Sequence, residues 1–261
     1  MKDALLMNAK WEDLGTDGSN SFMGFGDNII MTISDKHLEH DYPERDAEKM
    51  GFHIDDVIFM SRHSAKSGTP ALTVHPIGNY HENLYGGEPE RLVPASPRLM
   101  SDALRNILRL NDEEGTQTCF EVTHHGPLSD KPTFFIEIGS DESHWGNLHA
   151  AKIQAKVILS MEPAEDHMLA IGVGGGHYAP RFSEACNSFK VDFGHLLPNY
   201  QMEGRDDEDI VRMLKQASDA SGTKIVYLHR KSMKKPEERR ISSLIASSGL
   251  EQVSSKDFEP L

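Results

Sequence analysis

The sequence predicts a layered α/β fold with a largely parallel or mixed sheet, on two observations. Short segments rich in Ile, Val, Phe and Thr recur along the chain, and amphipathic segments with helix-start and helix-stop signals fall between them. Strands are predicted at 28–34, 56–61, 71–75, 119–123, 133–138, 168–173, 190–193 and 224–228. The clearest helix begins at Ser96-Pro97, where Ser96 suits a cap and Pro97 the first turn, and runs to about 110. Others are predicted over 143–161, over 207–220 with acidic residues at its start, and over 236–248 with Gly249 as its stop. The stretch 78–96, GNYHENLYGGEPERLVPAS, reads as a long Gly- and Pro-containing loop, either a binding loop or a surface excursion. No repeat or linker divides the chain, so one domain over 1–261 is expected.

Composition narrows the function. The 261 residues are 38% hydrophobic and 26% charged, enough to bury a sizeable core. No apolar run approaches the roughly 20 residues that span a bilayer. The N-terminal residues lack a signal-peptide pattern, and two distant cysteines give neither a disulfide framework nor a Cys-based zinc motif. These features predict a cytoplasmic protein without a membrane partner, and a monomer is the default expectation. A net charge of −14 opposes general affinity for DNA or RNA, although it leaves room for a local basic patch.

Fourteen histidines form an informative pattern. His63, His75, His124, His125, His177 and His195 each follow or end a predicted strand, and ligands bind at the carboxyl ends of strands in open α/β sheets. Such a cluster can hold zinc through neutral imidazoles and a carboxylate, and so supply a water nucleophile near neutral pH. Candidate ligands are His75, His81, His124, His125, His144 and His177, with Glu137, Asp141 or Glu142 as carboxylates. A metal-free alternative uses one histidine as a general base oriented by a carboxylate. Spacing alone does not choose between them. The stretch FEVTHHGP raises a further point, because adjacent strand residues point to opposite faces. If strand geometry persists, one of His124 and His125 faces the chemistry, with His125 favoured.

A G-x-S-x-G elbow is missing, so direct attack by water is expected over covalent catalysis. The run Gly172-Val173-Gly174-Gly175-Gly176-His177 fails both dinucleotide and Walker patterns. Its glycines still allow close backbone approach to a ligand. Nearby, Tyr178 and Phe182 can stack on a base and Arg181 can meet a phosphate. The segment HRKSMKKPEERR, residues 229–240, packs six Lys or Arg into an acidic protein. Arg230, Lys231, Lys234 and Lys235 precede a helix N-terminus, where cations are unfavourable by roughly 0.3–1 kcal/mol each. That arrangement suits a phosphate or nucleic-acid backbone.

Together, DVIFMSRHSAKSGTPALTVHPIGN, FEVTHHGP, PTFFIEIGSDESHW, AIGVGGGHYAPRF, FGHLLPNY and VYLHRKSMKKPEERR resemble the archaeal-type D-aminoacyl-tRNA deacylases, also found in plants. The resemblance covers roughly 52–251. It implies a three-layer α/β/α, phosphorylase/hydrolase-like fold similar to peptidyl-tRNA hydrolase. It also implies zinc dependence and hydrolysis of the ester joining a D-amino acid to the tRNA 3′-terminal adenosine. On that basis, His125, His124 and Glu137 are expected in catalysis, and His75, His81, His144, His177 and Glu142 around the metal. Arg62, Lys66, Asn79, Gly174, Gly175, Gly176, Tyr178 and Arg181 are expected to contact substrate, with the three glycine amides or the metal holding the oxyanion. Arg230, Lys231, Lys234, Lys235 and Arg239 are expected to hold the acceptor stem of the tRNA. Rivals are another hydrolase or a nucleoside phosphorylase on the same architecture, or a non-catalytic tRNA-binding protein.

Overall fold

In the computed structural model, which describes residues 1–65 and 68–261, three sheets are built from eleven strands. The chain begins with helix α1 (Lys2–Asn8) and an antiparallel meander, β1 (Glu12–Asp17), β2 (Asn20–Phe25) and β3 (Asn28–Thr32). Helix α2 (Pro43–Lys49) leads into β4 (Val57–Arg62) and β5 (Ala71–Pro76). Then come α3 (Pro97–Leu110), β6 (Gln117–Phe120), β7 (Thr133–Gly139), α4 (Glu142–Trp145) and α5 (Leu148–Leu159). The last third alternates regularly: β8 (Met168–Val173), α6 (Pro180–Ser188), β9 (Val191–Leu197), α7 (Asn199–Met202), α8 (Asp207–Ser221), β10 (Ile225–Leu228), α9 (Lys235–Ser247) and β11 (Glu251–Val253).

One four-stranded sheet is wholly parallel, in the order β11-β10-β8-β9. The other runs β4-β7-β5-β6, with β4 parallel to β7 and β5 parallel to β6, but β5 antiparallel to β7. They meet just after β6, where Thr123 N–H donates to Leu196 O at 3.1 Å and Leu196 N–H donates to Thr123 Oγ1 at 2.9 Å.

Helices cover both faces, and strand alternation decides which residue meets which layer. Ala170, Phe193 and Tyr227 pack in a cluster with α1, α3, α5 and α6, while Ile171, Val173, Val226 and Leu228 pack against α8 and α9. The expected three-layer α/β arrangement with mixed, mostly parallel sheets is therefore present. Burying each Leu, Ile or Phe of these clusters contributes about 1.5–3 kcal/mol.

The predicted elements differ from the structure in four instructive places. The expected helix 143–161 is interrupted, because Asn147 caps a new helix by accepting from His149 N–H at 2.9 Å and Ala150 N–H at 3.1 Å. Strand β9 extends to Leu197, so His195 lies inside the strand and not at its end. Strand β6 stops at Phe120 because its backbone changes partners. Val122 N–H donates to His177 O at 3.0 Å, then Thr123 turns to Leu196. Finally, the meander β1–β2 and helix α6 were not expected, since the meander segments are short, polar and rich in Gly and Asn, and α6 follows a glycine run.

Candidate active site

The change of partners after β6 builds the site. His125 has φ +32° and Gly126 φ +105°, so strand alternation ends between the paired histidines. Their rings consequently lie together, with centroids 4.1 Å apart, and both contact His75, at 4.1 Å for His124 and 5.1 Å for His125. The expectation that adjacent histidines diverge is corrected by this turn. His124 also meets His177 at 4.7 Å, and His177 meets His63 at 5.7 Å. Five histidines thus form one continuous group.

Two buried glutamates thread this group. Glu121, with no solvent exposure, has Oε1 3.2 Å from His63 Nδ1, and Oε2 2.9 Å from His177 Nε2 and 3.6 Å from His124 Nε2. Glu137 Oε2 lies 3.5 Å from His63 Nδ1 and 3.7 Å from His75 Nε2. His63 approaches because residue 139 is glycine; a Cβ there would stand 2.9 Å from His63 Cβ. Trp145 Nε1–H donates to His63 O at 2.7 Å, and Tyr178 Oη lies 3.0 Å from His63 Nε2.

The charges follow from these contacts. Burial works to raise the Glu137 carboxyl, and the imidazoles of His63 and His75 overcome it, holding it well below the usual carboxylate range. Burial works to lower His63 and His75, but the glutamates outweigh it and leave both raised. His124 is driven well below its usual value by burial and then by His75, His125 and His177. Burial, with His75 adding to it, pushes His125 down to about 3. The paired histidines are therefore neutral at pH 7.

Neutral imidazoles offer lone pairs to a metal. His124 Nδ1–H donates to Val122 O at 2.7 Å, which leaves Nε2 as the free lone pair. His75 Nε2, His125 Nδ1 and both Glu121 oxygens are buried without a hydrogen bond among the described residues. Buried polar atoms rarely stay unsatisfied. Two donor triads result, His75–His124–His125 and His63–Glu121–His177, each with donor atoms within 4.8 Å of one another. The donor set fits zinc, which takes His nitrogen and carboxylate oxygen.

Other expected residues are placed elsewhere. His81 Nε2 bonds Gln201 O at 3.0 Å, and His144 Nδ1 bonds Asp141 Oδ1 at 2.9 Å; neither belongs to the triads. Glu142 is exposed in the first turn of α4. Asn79 holds the 78–96 loop, donating to Gly86 O at 3.0 Å and Glu88 O at 3.2 Å. The Gly174 amide is already bonded to Leu197 O at 2.8 Å and that of Gly175 to Ser232 Oγ at 2.9 Å. At Gly176 an added Cβ would meet no atom of the described residues within 4 Å. Arg62 is exposed, its guanidinium 4.8 Å from the Trp145 ring centroid. Arg181 pairs with Glu184 at 2.9 Å. Lys66 lies outside the described residues.

His195 is corrected from site residue to scaffold. Its Nε2–H donates to Val93 O at 2.8 Å and its Nδ1 accepts from Thr123 Oγ1 at 3.0 Å, fully buried. Glu121 is the residue that sequence reasoning missed. Its signal was a carboxylate inside the apolar run Cys119-Phe120-Glu121-Val122.

The basic segment sits beside the glycine run. A Cβ at Gly174 would lie 2.8 Å from Ser232 Oγ and 3.2 Å from His229 Cβ, so two chain segments touch there. Arg230 and Lys235 both pair with Glu238, which offsets their charge at the start of α9. Lys231, Lys234 and Arg239 are exposed and make no ion pair among the described residues.

The sequence model for D-aminoacyl-tRNA deacylases matches residues 50–253. The chain belongs to the D-aminoacyl-tRNA deacylase family. A family member from Pyrococcus horikoshii is 36% identical over 236 residues, 87% of this chain and 84% of that protein. One from Methanosarcina mazei is 34% identical over 259 residues, 96% of this chain and 86% of its own length. A D-aminoacyl-tRNA deacylase from Methanococcoides burtonii is 34% identical over 99% of this chain, which spans about half of that relative, 54%. The fold is similar to a crystal structure described as a conserved protein of unknown function, AF0625, with TM-score 0.87 and 30% identity, covering 100% of this chain and 93% of that one.

Proposed function

We propose that this chain hydrolyses the ester bond between a D-amino acid and the 3′-terminal adenosine of tRNA, releasing free D-amino acid and tRNA, with zinc as cofactor. Its family is one of deacylases, hydrolases of the aminoacyl-tRNA bond. The observation that carries the reading is the convergence of five histidines and two buried glutamates at the strand ends, beside the basic segment.

His75, His124 and His125 would hold zinc, and His63, Glu121 and His177 offer a second set of donors. Bound zinc lowers the pKa of a coordinated water to about 7 and polarises a carbonyl oxygen. The protein's own residues do the rest. A group with a pKa of about 3 is a weak proton acceptor, so His125 suits coordination better than proton abstraction. Glu137 Oε2 stands between His63 and His75, 3.5 Å from His63 Nδ1 and 3.7 Å from His75 Nε2, and supplies negative charge beside both rings. With zinc in the first set alone, His177, half-exposed and with Nε2 2.9 Å from Glu121 Oε2, would hand a proton to the departing 3′-oxygen of the adenosine. Arg62 stands ready for a terminal phosphate, and Lys231, Lys234 and Arg239 for the acceptor stem. No helix among the described residues is long and apolar enough to cross a membrane, and a cytoplasmic place of action accords with a tRNA substrate.

The test presents D-tyrosyl-tRNA and L-tyrosyl-tRNA to the purified protein, with and without a chelator. Selective loss of the D-ester, abolished by chelation and restored by zinc, is expected. Equal hydrolysis of both esters, or of neither, would sink the reading.

A further inference from the structure

We propose that Leu84 and Tyr85 form the wall that receives the amino-acid side chain of the substrate, so that this turn sets which aminoacyl groups are hydrolysed well. The inference rests on the deacylase reading above and assigns it a subsite.

Leu84 is 75% and Tyr85 63% exposed, adjacent large apolar residues where a polar loop would be expected. A single exposed apolar side chain needs no explanation, but this pair is displayed by a turn that is held rigid. Asn83 Nδ2 donates to Gly87 O at 2.9 Å, and Gly126 N–H donates to Tyr85 O at 3.0 Å. Gly86 has φ +81°, and a Cβ there would fall 1.7 Å from Leu38 O. Only glycine lets the turn sit this closely on neighbouring backbone. The loop is thus pinned to the residue that follows His125, and the Tyr85 ring stands edge-on to His125 at 6.4 Å.

Position selects the occupant. The basic segment reaches the site through Gly175 and Ser232, on the side that leads to His177. Tyr85 stands on the side of His125. His124 contacts both, at 4.7 Å from His177 and 4.1 Å from His125. An ester lying over His124 with its nucleoside toward the basic segment directs its acyl side chain toward Tyr85 and Leu84. An apolar wall on a fixed backbone favours large apolar or aromatic side chains by contact area.

The experiment measures kcat/KM on D-tyrosyl-, D-leucyl- and D-alanyl-tRNA for the full chain and for Tyr85→Ala, Leu84→Ala and Tyr85→Phe, with binding of uncharged tRNA alongside. Tyr85→Ala is expected to lose roughly tenfold or more on D-tyrosyl-tRNA while staying within about twofold on D-alanyl-tRNA. Tyr85→Phe should behave as the parent, since area and not the hydroxyl is used. Retained D-alanyl activity certifies the fold. Equal loss on all three esters with weaker uncharged-tRNA binding would assign the turn to the terminal adenine and overturn the proposal. Unchanged kinetics on every ester would also overturn it. Failure of the parent chain on every D-ester would instead remove the deacylase reading itself, and this subsite with it.

Discussion

Glu121 Oε2 lies 2.9 Å from His177 Nε2, and the carboxylate that makes this contact is wholly buried. A charge in that position is retained only where neighbours compensate it, and the rings that lie against it to do so are His63 and His177. Glu121→Gln preserves shape but removes the charge and one acceptor. Its kcat on D-tyrosyl-tRNA is expected to fall by about 10²–10⁴, the range for a lost proton-transfer partner. Binding of uncharged tRNA should be unchanged. Retained turnover would exclude Glu121 from the chemistry.

Metal content separates coordination from base catalysis in the histidine triad. Alanine at His124 or His125 should lower zinc retention as measured by elemental analysis after dialysis, alongside the loss of activity. A second-sphere partner costs about 10–100-fold in affinity when removed, and a direct ligand costs more. Glu137→Gln therefore belongs to the milder group. Full zinc retention in the His124 and His125 variants would return them to a metal-free role.

The basic segment divides by its ion pairs. Lys231, Lys234 and Arg239 have no acidic partner among the described residues, whereas Arg230 and Lys235 are already committed to Glu238. Replacing the three unpaired residues with alanine should weaken tRNA binding and reduce the slope of log K against log salt by roughly 2–3. At saturating tRNA, kcat should hold. An unchanged slope would mean that this face is merely solvated.

Much of this was legible in the sequence. Alternating strands and amphipathic helices gave the layered α/β class, and strand-end histidines pointed to the site. The helix at 97–110 matches α3 in both bounds because Pro97 and the apolar spacing mark it locally, whereas the expected Ser96 cap is not made, its hydroxyl donating to Asp56 Oδ1 at 2.6 Å. Long-range partner exchange is what escaped. Nothing near His124 announces that Val122 and Thr123 leave β5 for His177 and Leu196, yet that exchange brings both imidazoles to one place. Glu121 likewise finds its buried partners far along the chain, His63 lying 58 positions before it and His177 56 positions after it. His195 misled for the reverse reason, since β9 continues past the apolar run that marks it.

Gly126→Ala tests the turn behind the paired histidines. Residue 126 has φ +105°, and a Cβ would lie 2.5 Å from Ile77 Cγ2 and 3.1 Å from Phe135 Cε2. Both the backbone conformation and the packing oppose a side chain. A loss of about 2–4 kcal/mol in urea unfolding is expected, strain and overpacking acting together. Activity should fall further than stability alone explains, because His125 moves with the turn. A variant of parental stability and activity would show that the turn tolerates rearrangement.

His195 supplies a pH test outside the triads. Burial pushes its pKa down to about 4, while the unfolded chain titrates near 6.5. Between those values the unfolded state holds one more proton than the folded state. Acid therefore favours unfolding, and stability present above pH 6.5 declines as pH falls toward 4. The slope from this residue is about 1.4 kcal/mol per pH unit within that window and vanishes below it. His195→Gln removes the proton uptake, although it also disturbs the bonds to Val93 and Thr123 and so costs stability at neutral pH. Urea midpoints at pH 7, 5.5 and 4.5 distinguish the two effects. The variant should start lower and decline less steeply, because its deficit is set by lost hydrogen bonds and not by protons. Parallel curves would mean that the imidazole takes up its proton without unfolding.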